Sequence, residues 1–155
     1  MRDPVLAYIA LGSNLGDALG MVRRSIEAIA ELPQVALLHR SSLYRSAPVE
    51  SSGPDYINAV VCVRTSRNAY KLLEGLQHLE QAALRERPYR NAPRTLDLDL
   101  LLFGDAQIDS ATLTVPHPRL AQRAFVLMPL AEIAPARVGP AQLLAVSDQL
   151  CERLS

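Results

Sequence analysis

The sequence predicts an α+β fold, an antiparallel sheet in the order β-α-β-β-α-β with packed helices and a C-terminal α extension. Three observations predict it. Two stretches carry apolar residues at helical spacing: Leu19, Val22, Ile26 and Ile29, then Leu72, Leu73, Leu76, Leu79 and Ala83. Four runs read as strands, 5–11, 35–45, 56–65 and 94–104. Segments rich in Gly, Pro, Ser and Asn separate them.

VLAYIAL (5–11) is the first strand, closed by the turn GSNLGD, to which Gly12 and Gly16 are assigned. Asp17 is placed to cap the first helix, which Pro33 ends. VALLHRSSLYR (35–45) is the second strand, and SAPVESSGPD (46–55) a loop on composition. The β-branched and aromatic run YINAVVCVRT (56–65) is the third strand, and the second helix spans about 68–85. RERPYRNAP is charged and broken by proline; RTLDLDLLLFG, the fourth strand, follows. This order is the split βαβ arrangement of ferredoxin-like folds, with both helices on one face of the sheet. Further on, a short helix started by Pro is expected within 114–135, and a terminal amphipathic helix over 140–154.

At 155 residues the chain is expected to form one domain, 1–155, large enough to bury a core. Its net charge is zero, so no global field points to nucleic acid or a membrane surface. No apolar run is long enough to span a bilayer, and no leader pattern is visible at the start. Cys62 and Cys151 match no metal-binding spacing and read as thiols of a reducing compartment. A cytoplasmic monomer is the expectation.

Asp97 and Asp99 interrupt the fourth strand. Residues two apart share a strand face at about 6.6 Å, so the two carboxylates point together while Leu98, Leu100 and Leu102 point away. Leu101 and Phe103 are expected to continue the aspartate face. Two adjacent like charges require a cation or a raised pKa. Oxygen-only ligands suit Mg²⁺, which takes one or two carboxylates and completes its shell with water and phosphate oxygens. Read alone, the pair is more simply an exposed strand face, or a partner for Arg94 and other arginines, since the motif is common by chance.

Lys71 is the one lysine among sixteen basic residues. The general arginine excess reads as compositional bias, but Arg85, Arg87, Arg90 and Arg94 fall within ten residues and lead into the aspartates. Guanidinium groups bind phosphate through paired hydrogen bonds. Carboxylates and arginines together suit a polyphosphate substrate held by side chains and metal, since no Gly-rich phosphate loop is present.

The stretches YIALGSNLGD, SSLYRSAPV, PDYINAVV, PRTLDLDLLLFG, LTVPHPRL and RAFVLMPLAEIAP occur in one order over residues 7–135. Together they closely resemble the 6-hydroxymethyl-7,8-dihydropterin pyrophosphokinases of folate biosynthesis. The resemblance implies a ferredoxin-like fold and transfer of diphosphate from ATP to the pterin hydroxymethyl group, releasing AMP, with two Mg²⁺ ions. It implies Asp97 and Asp99 as metal ligands, and Arg85 and Arg94 as phosphate contacts that assist transfer. It assigns Arg87, Arg90, His117 and Arg123 to ATP, with Glu80 and Leu100 nearby. For the pterin it points to Tyr56, Asn58 and Phe125, with Ser46, Pro48 and Val49 from the loop. Tyr56 and Asn58 share a strand face, and an Asn amide offers both a donor and an acceptor to a heterocycle edge. The usual R-W-G-P-R-T reads RNAPRT here, with Asn91 and Ala92, and the loop is shorter; a less favoured closed state is expected. The alternative, a non-catalytic ferredoxin-like module that binds a small molecule, has no need of two carboxylates beside four arginines.

Overall fold

The computed structural model describes residues 3–48, 53–85 and 95–154, with the backbone alone of Arg85. Strand β1 (Val5–Ser13) leads through a turn into helix α1 (Ala18–Ala30). Strands β2 (Val35–Arg40), β3 (Tyr44–Ser46) and β4 (Tyr56–Thr65) follow, then helix α2 (Ala69–Arg85) and strand β5 (Asp97–Phe103). The ladder order is β5-β1-β4-β3, all antiparallel, with β2 also on β4. This is the ferredoxin-like order, its second strand laid in two pieces along one edge of β4.

The expected single strand over 35–45 is therefore corrected to two. The break follows Ser41, whose N–H still donates to the Val60 carbonyl at 2.9 Å while side chains take over the next groups. Ser41 Oγ accepts the Val60 N–H at 2.9 Å. The Ser42 N–H donates to both carboxylate oxygens of Glu132, each at 3.0 Å, and so leaves the sheet.

Local signals explain the helix ends. The Asp17 carboxylate accepts the Gly20 N–H at 3.1 Å, closing the first turn of α1. Asn68 Oδ1 accepts the Lys71 N–H at 2.8 Å at the start of α2. Both helices lie on one sheet face. Ile9, Leu11, Val61, Val63, Leu98 and Leu100 from the strands meet Val22, Ile26, Ile29, Leu72 and Leu76 there. Burying each of these side chains contributes about 1.5–3 kcal/mol.

The opposite face is covered as well. After a small hairpin, β6 (Ile108–Asp109) and β7 (Thr114–Val115), and a 3-10 turn at Leu120–Gln122, helix α3 (Ala124–Ile133) packs on Tyr8, Ala10, Val60, Cys62, Leu101 and Leu102. Helix α3 begins at Ala124 after an extended Arg123, so the expected Pro start is corrected. Leu101 keeps to the Asp97 and Asp99 face, as alternation requires. A register shift against Tyr8 and Ile9 then turns Leu102 onto that face too and Phe103 onto the α1–α2 side. This bulge corrects the expected alternation over 101–103.

The terminal helix expected over 140–154 is short. Helix α4 (Pro140–Ala145) starts at Pro140, and Gln142 Oε1 accepts the Gly139 N–H at 2.8 Å. The chain then turns into strand β8 (Cys151–Arg153), which pairs with β3. The free edge of β3 offers unpaired backbone groups, and β8 satisfies them in place of a longer helix.

Candidate active site

The site lies where β1, β4 and β5 run side by side under the start of α3. One row across the sheet holds Tyr44, Asn58, Gly12 and Asp97; the next holds Val60, Ala10 and Asp99. Period-two alternation puts all of these on the α3 face. The central strand contributes Gly12 and Ala10, so the floor between Asn58 and the aspartates is almost bare backbone. Gly12 thus belongs to β1 and to the floor of the site, which corrects its assignment to the turn. Gly16, with φ 67°, does make the turn.

A cavity of about 260 Å³ stands over this floor. Tyr56 and Asn58 from β4 line it, with Asp97 and Asp99 from β5, Ala47 after β3, Arg123 just before α3, and Phe125 and Val126 within α3. The Arg123 guanidinium sits 5.4 Å from the centre of the Phe125 ring, a cation–π contact that joins a charge to an aromatic wall. Asn58 is buried, and its Nδ2 donates to Ser46 Oγ at 2.7 Å. Ser46 thus orients the amide from behind. The Oδ1 end faces Gly12.

Burial and the neighbouring Asp99 charge push the Asp97 carboxyl up, and Arg123 partly offsets them. The pair offers carboxylate oxygens alone, and among the described residues no third His, Cys, Asp or Glu joins them. A hard divalent cation that completes its shell with water and phosphate suits this donor set, and it would relieve the repulsion.

A second cavity of about 270 Å³ lies across the β5 edge and shares Asp99. Leu73, Leu98 and Leu100 form its apolar side, residues 110–114 of the hairpin its rim, and His117 and Pro118 its end. His117 Nδ1 accepts the Arg119 N–H at 3.2 Å, which leaves Nε2 to carry the proton in the neutral ring. Burial pushes the His117 pKa down, with Arg123 and Arg119 acting in the same sense against Asp99.

Glu80 enters neither cavity lining. Its Oε2 accepts the Leu98 N–H at 2.8 Å, on the open side of the edge strand. Burial and the two aspartates push its carboxyl up, against the pull of that hydrogen bond. The structure therefore brings Asp97, Asp99, Tyr56, Asn58, Phe125 and Arg123 around one cavity, and Leu100 and His117 to the other. Ser46 and Glu80 stand behind them, and Pro48 is half-buried outside both linings. Val49, Arg87, Arg90, Arg94 and the Arg85 side chain lie outside the described residues, as does Asn91.

Sequence reading missed Ala10, Ala47 and the clasp made by Asn14. The Asn14 N–H donates to Thr95 Oγ1 at 2.8 Å, its Oδ1 accepts from that hydroxyl at 3.0 Å, and its Nδ2 donates to Pro54 O at 3.3 Å. Ser13 Oγ donates to Thr95 O at 2.6 Å. The end of β1 thus fixes the chain just before Asp97 and just before Tyr56. A glycine inside a strand was the legible signal for the open floor. Asn14 carried none beyond its turn setting.

Comparison with known proteins adds to this geometry. Residues 8–135 match the family model described as 7,8-dihydro-6-hydroxymethylpterin-pyrophosphokinase (HPPK). A 2-amino-4-hydroxy-6-hydroxymethyldihydropteridine pyrophosphokinase of Synechocystis sp. is 43% identical over 134 residues, covering 86% of this chain and 69% of that protein. The Haemophilus influenzae enzyme of the same name is 42% identical over 137 residues, covering 88% of this chain and 86% of that one. A crystal structure of an HPPK-DHPS in complex with substrates superposes with a TM-score of 0.67 at 13% identity, covering 86% of this chain and 40% of the other. That likeness concerns the fold.

Proposed function

The chain belongs to the 7,8-dihydro-6-hydroxymethylpterin-pyrophosphokinase family, and on that premise we propose how its two cavities divide the work. The enzyme is a pyrophosphokinase of folate biosynthesis: it transfers diphosphate from ATP to 6-hydroxymethyl-7,8-dihydropterin. The hydroxymethyl oxygen attacks the β-phosphorus, the bond between the α- and β-phosphates breaks, the hydroxyl proton is lost, and AMP leaves.

The pterin occupies the cavity over Gly12. The open floor supports this reading most directly: a flat ring lies against backbone at Gly12 and Ala10, with Asn58 at its edge and Tyr56 and Phe125 as aromatic walls. Stacking on an aromatic side chain is worth roughly 1–3 kcal/mol for a nucleobase, a ring of similar size. Asn58 offers Oδ1 and one remaining amide hydrogen to the heterocycle edge, because Ser46 already takes the other.

ATP takes the second cavity, with its base against Leu73, Leu98 and Leu100, so that the triphosphate reaches Asp99 where the cavities meet. His117 Nε2–H and Arg123 bind its oxygens. Arg85, Arg87, Arg90 and Arg94 add guanidinium groups from the adjoining segment, Arg85 and Arg94 on the group in transfer. Asp97 and Asp99 would hold Mg²⁺, two ions in this reading, which when bound neutralises triphosphate charge. Glu80 fixes the edge strand that carries both aspartates. Among the described residues no helix is long and apolar enough to cross a membrane; we place the protein in the cytoplasm as a monomer.

The test is the nucleotide product. Incubation with ATP, Mg²⁺ and the hydroxymethyl dihydropterin should yield AMP and pterin diphosphate in equal amounts. ADP as the pterin-dependent product would overturn the assignment.

A further inference from the structure

We propose that Gln149 is a positioning residue for this reaction, fixing the backbone of Arg123 with one side-chain amide; the proposal rests on the reading of Arg123 as a substrate-binding group. Gln149 lies outside residues 8–135, the part that matches the family. Its Oε1 accepts the Ala124 N–H at 2.8 Å, and its Nε2 donates to the Gln122 carbonyl at 2.8 Å. These two groups belong to the peptide planes on either side of Arg123. Peptide planes are rigid, and a residue has only the two soft dihedrals between them. Holding both planes therefore fixes φ and ψ of Arg123, which are −131° and 120°.

The same contact completes the start of α3. The first N–H groups of a helix lack partners within it. Arg123 occupies the cap position without a capping side chain. Its carbonyl accepts from Val126 and Leu127, while Gln149 supplies the acceptor for Ala124 from across the fold. Arg123 and Phe125, both in the wall of the proposed pterin cavity, flank the residue whose N–H is held.

Gln149 is itself anchored. Its N–H donates to Val146 O at 3.0 Å, and two residues later β8 joins β3 with Cys151 opposite Ser46. Ser46 is the residue that orients Asn58. The C-terminal segment thus braces two walls of the cavity from outside it without entering the lining.

The experiment is a double-mutant cycle on the full chain, measuring kcat and KM for ATP and pterin together with melting temperature. Misplacing a binding group by about 1 Å costs up to roughly 100-fold, so Gln149→Ala should lower kcat/KM on the order of tenfold. Arg123→Ala should lower it further, and adding Gln149→Ala to that variant should change it by less than about twofold, because the two act as one unit. Thr65→Ala, which removes one donated and one accepted hydrogen bond (to the Gln34 carbonyl and from the Arg67 N–H) at the end of β4 away from the cavity, is the control. It should match or exceed the melting loss of Gln149→Ala with kcat/KM close to wild type. Losses that multiply in the double variant, or wild-type kcat/KM in Gln149→Ala, would overturn the proposal. If Arg123→Ala itself keeps wild-type kinetics, the assignment of Arg123 to the site has failed first. Should Gln149→Ala not fold, Gln149→Glu carries the cycle. It keeps the acceptor for Ala124 but opposes the Gln122 carbonyl, so it should lose kcat/KM in a manner coupled to Arg123, and full activity would overturn the proposal.

Discussion

A Cβ added to Gly12 would stand 3.3 Å from Asn58 Oδ1, so the gap beside the Asn58 amide exists because residue 12 has no side chain. The same carbon would lie 3.7 Å from the Tyr56 ring. Gly12→Val puts three carbons into the space where a flat ring would lie. Folding should survive, because β-branched residues suit strands and glycine in a strand interior costs about 0.5–1 kcal/mol relative to alanine. Pterin affinity, measured by titration calorimetry, should fall by at least about tenfold, or 1.4 kcal/mol. Unchanged affinity in a folded variant would remove the pterin from this cavity.

Asp97→Asn and Asp99→Asn separate folding from chemistry. Burial and the Asp99 charge already push the Asp97 carboxyl up. A neutral amide at either position relieves that repulsion, so the melting temperature without metal should hold or rise. Turnover with Mg²⁺ should fall by roughly a thousandfold, since metal stabilisation of developing charge is worth several kcal/mol. A folded variant with near-normal turnover would make the pair structural.

Glu132 predicts a pH dependence of stability. Burial pushes its carboxyl up, but the Tyr44 hydroxyl at 2.7 Å and the Ser42 N–H and hydroxyl outweigh burial and hold the pKa below the ordinary range. A depressed folded pKa adds stability above the unfolded value, about 4.3, and loses it as pH falls through the folded one. Glu132→Gln keeps the acceptor but removes the charge. Urea denaturation should show wild type ahead by about 1 kcal/mol near neutrality, the exposed part of the carboxylate being screened. The gap should close as pH falls below about 4. A gap that widens in acid contradicts this account.

Local chemistry made most of this legible. Strand β4 matches its predicted bounds because ten consecutive residues suit a buried strand, and Asp17 acts as a cap because its signal lies within one turn. The aspartates share a face because alternation is intrinsic to strands. What was not legible depends on distant partners. The second strand breaks at Ser41–Leu43 because Glu132, far along the chain, takes the Ser42 N–H. The bulge at Leu101 depends on pairing with Tyr8 and Ile9. The tail becomes a strand because β3 presents an edge to it.

Glu80 supplies the last prediction. Resemblance places it near ATP, whereas in the structure its Oε2 accepts the N–H of Leu98, the residue between the two aspartates. Among the described residues β5 is an edge strand, and the outward N–H of Leu98 has no sheet neighbour to bind on that side. Without an acceptor this part of β5 is free to shift, carrying Asp97 and Asp99 with it. Glu80→Ala should therefore lower Mg²⁺-dependent kcat on the order of tenfold or more, the usual cost of losing a residue that orients metal ligands. Glu80→Gln keeps a carbonyl oxygen for Leu98 and should retain most of the activity. It should also raise stability without metal, because burial and both aspartates disfavour a charge at this position. Steady-state kinetics on the two variants, beside their melting temperatures, decide the matter. If Glu80→Gln is as impaired as Glu80→Ala while both stay folded, the negative charge itself is required. Glu80 then contacts a ligand directly, and its hydrogen bond to Leu98 is secondary.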